Sequence, residues 1–114
     1  MFKVIHYSNM EPEAVTEPGA VNVKVRWLIS TKDGARRFAM RLFTLGPKGR
    51  TPLHSHIEEH EVFVLEGEGK VMCDEKTETF RQGSVVYIPP HSQHFFENLD
   101  EKPLSFICII PYLR

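Results

Sequence analysis

An all-β sandwich or barrel is the fold class this sequence predicts, on three observations. Short apolar runs recur along the chain with turn residues close between them. Val21, Val23, Val25 and Trp27 alternate with Asn22, Lys24 and Arg26, which is the period of a half-buried strand. No stretch sustains the apolar period of a long helix.

Residues 3 to 7 are expected to form a short strand, and Asn9 to Gly19, with two prolines and three glutamates, an irregular connection without chemistry. The alternating strand from Val21 should end at a hairpin turn over Thr31-Lys32-Asp33-Gly34, because Asp-Gly is a strong short-range hairpin signal. Arg37 to Leu45 is apolar on both faces and reads as a strand between two layers, ended by Gly46-Pro47-Lys48-Gly49. Val62 to Leu65 is the next apolar run, and Glu66-Gly67-Glu68-Gly69 reads as a hairpin turn after it. Lys70 to Cys73 and Thr77 to Phe80 read as two short strands around Asp74-Glu75-Lys76, followed by a turn at Arg81-Gln82-Gly83. Gly83 feeds a short strand that Pro89-Pro90 breaks, and the chain re-enters before Asn98. The closing strand, Leu104 to Ile110, puts Phe106, Cys108 and Ile110 on one side and Ile107 and Ile109 on the other.

The chain has 114 residues, enough for one domain, residues 1–114, with a single core. It is 41% hydrophobic and 25% charged with a formal net charge of -1, a balance that offers no field for nucleic acid or an anionic membrane. Met1 to Met10 has no apolar core of the signal-peptide kind, and no run approaches the roughly 20 residues of a membrane span, so a cytoplasmic location is expected. Cys73 and Cys108 lack a Cys-x-x-Cys spacing and read as reduced thiols in or near a core.

Thr51 to Gly69 is where chemistry concentrates, with three histidines inside seven residues ahead of an apolar strand. His54 and His56 are two apart, so on an extended segment both rings project from one face and can share one ion. His60 can return to that face after a tight turn, with Glu61 beside it as a competitor, although alternation from His60 places Val62 and Val64 inward. His94, beside the Pro89-Pro90 turn, is placed to close a site built elsewhere, whereas His6 and His91 read as solvent or loop histidines. Arg41 is the misfit in an apolar strand. Its head either reaches the rim or a glutamate, or clamps the carboxylate of a substrate. Phe96 shares the His94 face, and Phe96, Phe106 and Cys108 belong to the core or line a substrate pocket above the histidines.

These residues resemble the cupins. That family carries a first motif, Gly-x5-His-x-His-x(3,4)-Glu-x6-Gly, and a second, Gly-x5-Pro-x-Gly-x2-His-x3-Asn, on a small β-barrel of jelly-roll type, the double-stranded β-helix. The second is matched by Gly83, Pro89, His94 and Asn98, with His91 in place of the glycine. The first, about residues 49 to 69, is matched by His54, His56 and Gly67, with His60 at the glutamate position and Gly49 one residue late. The His60 substitution is similar to small single-domain cupins with four histidine ligands, typified by manganese-binding bacterial proteins. The resemblance implies a metal site of His54, His56, His60 and His94, with Glu61 as the alternative to His60, and a homodimer in which Trp27 and the early strands cover a partner.

Four neutral imidazoles leave the charge of a divalent ion uncompensated and make a stronger Lewis acid than three histidines and a glutamate. The resemblance puts manganese first, whereas imidazole donors by themselves also bind iron, nickel, copper or zinc. The function expected is a metal-dependent oxidoreductase, dioxygenase-like, acting on a small organic substrate. The alternatives are a metal-dependent isomerase and a non-catalytic metal or small-ligand binding module. Glu58, Glu59 and Glu61 are the general bases nearest the site in sequence, which disfavours proton-transfer isomerisation.

Overall fold

Alternation of apolar and polar residues does most of the folding work, because a strand with one apolar face is stable only when that face is covered. The computed structural model describes residues 1–113. Its strands are β1 (Glu13–Ala14), β2 (Val21–Ile29), β3 (Phe38–Arg50), β4 (His60–Glu66), β5 (Glu68–Cys73), β6 (Lys76–Arg81), β7 (Val85–Ile88), β8 (His94–Asn98) and β9 (Leu104–Pro111). They form one curled sheet in the order β6-β5-β8-β3-β9-β4-β7, with β2 on β3 and β1 on β2. Every named pairing is antiparallel.

The curl puts the inner faces of distant strands against one another. Phe96 of β8 stacks on Phe106 of β9 with ring centroids 4.7 Å apart, and Phe80 of β6 meets Phe96 edge-on at 6.1 Å. Leu45, Val64, Leu104 and Phe106 are fully buried around them. Truncating a ring at this centre, as in Phe106→Ala, removes about 3–5 kcal/mol.

Several local expectations meet a different structure. Residues 3 to 7 are not a strand; a short 3-10 turn occupies Tyr7–Asn9, and Lys3 instead ties this segment down through Asp33 at 2.8 Å. Thr31 to Gly34 does turn the chain from β2 into the antiparallel β3 as expected, but as a 3-10 turn over Thr31–Asp33 capped by Ser30 and closed by Gly34 in the left-handed region. Strand β3 does not stop at Leu45. Gly46 to Gly49 bulge out opposite Asn22, and pairing resumes at Arg50 with Val21. Nor is there a hairpin at Gly67. Strands β4 and β5 are not neighbours, so the chain crosses there from one part of the sheet to another. Gly67 has φ +87, and a Cβ on it would lie 2.5 Å from the Pro103 carbonyl oxygen, so only glycine passes. By contrast, Asp74 and Glu75 do make the β5–β6 turn, both with positive φ. No helix among the described residues is long and apolar enough to cross a membrane.

Candidate metal centre

Four imidazoles converge at one end of the curled sheet. His60 opens β4 and points inward with Val62 and Val64, and His94 opens β8 and points inward with Phe96 and Asn98. His54 and His56 lie on the segment between β3 and β4. This segment is not a strand, and only His54 pairs, its N–H donating to the His94 carbonyl at 3.3 Å and its carbonyl accepting from the His94 N–H at 3.0 Å. The Thr51 N–H donates to the Phe96 carbonyl and Thr51 Oγ1 accepts from the Phe96 N–H, both at 2.9 Å. The His91 N–H donates to the His56 carbonyl at 2.7 Å. Backbone bonds to the β8 region thus hold the two loop histidines against His94.

One ring nitrogen from each of His54, His56, His60 and His94 lies within 4.8 Å of the other three. Neighbouring rings meet edge-on, with centroids between 4.7 and 5.2 Å apart. Nitrogens bound to one transition metal at about 2.1 Å stand roughly 3–4.2 Å from one another, so this donor set fits an ion after small adjustments. The four could hold a metal. Glu61 is exposed and outside this cluster, since alternation along β4 turns it to the opposite face from His60.

Two of the rings have a partner for their other nitrogen. His94 Nδ1 donates to the Ser92 carbonyl at 2.9 Å, which leaves Nε2 facing the cluster. His60 Nδ1 is 3.3 Å from Cys108 Sγ, and its Nε2 is 3.1 Å from His56 Nε2. His54 Nδ1 is 3.9 Å from Glu17 and His56 Nδ1 is 3.6 Å from Glu58, both beyond hydrogen-bond reach, and His56 Nδ1 is buried without a partner. Outer partners like those of His94 and His60 fix the tautomer and aim of ligating imidazoles.

Electrostatics favour neutral rings. Burial, and then the positive charge of Arg41, push His60 from 6.5 down to about 3. Burial likewise holds His54 and His94 below the ordinary histidine value. Burial raises the Cys108 thiol, and the adjacent Arg41 partly offsets this. A neutral imidazole is the form that binds metal.

The histidines form part of the wall of a cavity of about 510 Å3. Arg41, Phe96, Phe106 and Cys108 line that same cavity. Sequence reasoning missed several contributors, including Val25, Phe43 and Ile110, and three others bear on polarity or shape. Glu13 to Glu17, read as a connection without chemistry, runs along the cavity as a strap paired to β2 only through β1 and the Val15 N–H. Trp27 also lines the cavity, and its alternation with Val23 and Val25 was the signal that could have placed it inward. Thr51 is the third, and nothing in its sequence setting marks it. Of the expected bases, Glu58 faces His56 Nδ1, Glu59 accepts from the Tyr87 hydroxyl at 2.6 Å, and Glu61 is exposed. None of these lines the cavity, whereas Glu13 and Glu17 do.

A curled antiparallel sheet with imidazoles gathered inside one end defines a β-barrel protein with a candidate metal site. The cupin domain family profile matches residues 41–110, and the chain belongs to that family. Its structure is similar to that of the polyketide cyclase RemF from Streptomyces resistomycificus, with a TM-score of 0.91 and 36% identity over 97% of this chain and 80% of that one. In sequence it is similar to the 1-methylthio-D-xylulose 5-phosphate methylsulfurylase of Rhodospirillum rubrum, 31% identical over 71 residues, or 62% of this chain and 46% of that one. It is also similar to the glucose-6-phosphate isomerase of Pyrococcus furiosus, 29% identical over 92 residues, or 70% of this chain and 49% of that one. The chain spans about half the length of the curated relatives it matches.

Proposed function

We propose that His54, His56, His60 and His94 hold one divalent transition metal, manganese first, and that the chain is a metal-dependent oxidoreductase of dioxygenase type acting on a small organic substrate. The observation that carries this reading is the donor set itself, four imidazole nitrogens within 4.8 Å of one another with no carboxylate among them. A divalent ion held by four neutral donors keeps its full charge and supplies strong Lewis acidity with positions open to substrate or dioxygen. The chain supplies the rest. Ser92 and Cys108 orient His94 and His60, and Arg41, Phe96, Phe106 and Cys108 form the wall that positions the substrate and keeps water from it. Pairing as a homodimer is part of the same proposal, resting on the family alone.

A second reading, polarisation of a carbonyl for cyclisation or isomerisation, is favoured by the likeness to a polyketide cyclase. Glu13 or Glu17 at the cavity would then be the proton acceptor. Elemental analysis of protein purified without added metal tests the shared part. About one manganese or iron per chain is expected, lost in His60→Ala and retained in Glu61→Ala. Absence of bound transition metal in every preparation would overturn it and leave a non-catalytic binding module. Oxygen uptake with enolisable carbonyl compounds supports the oxygenase, while deuterium incorporation from heavy water without oxygen uptake supports the second reading.

A further inference from the structure

Arg41 is the one guanidinium in the cavity wall, and no carboxylate among the described residues stands within ion-pair distance of it. Arg41 stands in the middle of β3, paired in register with Trp27 on β2 and with Cys108 on β9. Its guanidinium lies over the Trp27 and Phe43 rings, 5.4 and 4.9 Å from their centroids. Nη2 donates to Cys108 Sγ at 3.1 Å and lies 3.4 Å from His60 Nδ1, while the buried Nε has no partner. None of the ion pairs among the described residues includes Arg41. A thiol, an imidazole and two ring faces do not neutralise a guanidinium. Arg41 is half-buried, with Nε shut off from water, so an anion meeting the guanidinium would offset the part of its desolvation that the thiol and rings do not. A divalent ion at the histidines would add two more positive charges within the same cavity.

The remainder of the wall says what kind of anion. Val25, Phe43, Phe96, Phe106 and Ile110 present carbon, so the body of the occupant is apolar. A sugar phosphate would bring several hydroxyls that need partners. Apart from the histidines and Arg41, the polar groups in the wall are the carboxylates of Glu13 and Glu17, the Trp27 indole N–H, the Cys108 thiol already bonded to Arg41, and two threonines, of which Thr51 already accepts from the Phe96 N–H, too few for a sugar's hydroxyls. Glu13 and Glu17 are exposed, so anionic repulsion acts at the mouth and attraction within. This favours a single charge at the inner end over a polyanion.

Resting on the reading of the histidines as a metal centre, we propose that the cavity takes an organic monoanion, a carboxylate or enolate on a flat apolar body. Its charged end meets Arg41 beside the histidines, and its body lies along Phe43, Phe96 and Phe106. A cavity of about 510 Å3 holds a molecule of two or three fused rings with ease.

The test is isothermal titration of the protein as purified, with metal content measured on the same sample, using 2-naphthoate, neutral 2-naphthamide and glucose 6-phosphate. Naphthoate is expected to bind about 10- to 100-fold more tightly than the amide, the range of one lost charged hydrogen bond. Arg41→Met should abolish that preference, and Arg41→Lys should keep part of it. Equal binding of naphthoate and naphthamide would overturn the proposal, as would an unchanged preference in Arg41→Met or tighter binding of glucose 6-phosphate. The native ligand series decides the matter even if Arg41→Met does not fold. Samples that carry no metal in any preparation yet prefer naphthoate through Arg41 would sink the metal reading and leave the anion site standing.

Discussion

His60 Nδ1 has two neighbours, Cys108 Sγ at 3.3 Å and Arg41 Nη2 at 3.4 Å. With Nε2 turned to a metal, Nδ1 carries the proton, and it can donate only to the sulfur because the guanidinium is itself a donor. Cys108 is therefore a positioning residue for His60. Cys108→Ala should weaken metal binding about 10-fold, the lower end of what loss of an outer-sphere partner costs, measured by competition with a chelator. Unchanged affinity would remove Cys108 from the site. The titration of the rings gives a second expectation. Burial and Arg41 keep His60 neutral down to about pH 3, and burial acts in the same direction on His54 and His94. The unfolded chain takes up these protons from about pH 6.5 downward, so acid favours the unfolded state. Stability of the metal-free protein is then complete above about pH 6.5 and declines as pH falls toward 3. The urea midpoint at pH 5 should lie below that at pH 7.5, and equal midpoints would mean that the rings are not buried in neutral form.

Among the elements, the junction of β3, β8 and the β8–β9 turn depends on Asn98. Its Nδ2 donates to the carbonyls of Leu45, Gly46 and Lys102 between 2.8 and 3.1 Å, and its Oδ1 accepts from the Asp100 N–H. Asn98→Ala strands buried carbonyls at this junction and should cost about 2–4 kcal/mol, read from the denaturant midpoint. At the two motif glycines that this chain replaces, the backbone is left-handed. Lys48, where the first motif has glycine, and His91, where the second has it, both hold left-handed φ, 59° and 69°. His91→Gly should therefore stabilise the protein by about 0.5–1 kcal/mol, the left-handed penalty less the entropy of glycine; a loss of stability would mean that the exposed ring makes contacts in solution. Here the limits of the sequence are also plain. Alternation located β2, continuous apolar runs located β4 and β9, and motif spacing located the four histidines, since all three are local in sequence. The turn read at Gly67 was not a hairpin, because glycine marks where the chain bends and not which strand it next meets. The strap over Glu13 to Glu17 carries too few apolar residues to show a period at all.

On the scale of the whole molecule, the candidate centre exists only because the sheet curls. His60 and His94 sit on strands separated in the sheet by β3 and β9, and the loop carrying His54 and His56 spans between them. The cupin resemblance supplied this architecture; the order of strands was not legible otherwise, because pairing is decided by contacts distant in sequence. The absence of acidic donors in the cluster has a last consequence, and it concerns migration in an electric field. The chain carries a formal net charge of -1 at pH 7, and rings held neutral by burial have few protons to surrender when a divalent ion enters. Adding two charges to minus one gives plus one. Loading should therefore reverse the direction of electrophoretic movement at neutral pH and raise the isoelectric point above its value of about 6.6. His60→Ala, unable to fill the site, should continue toward the anode.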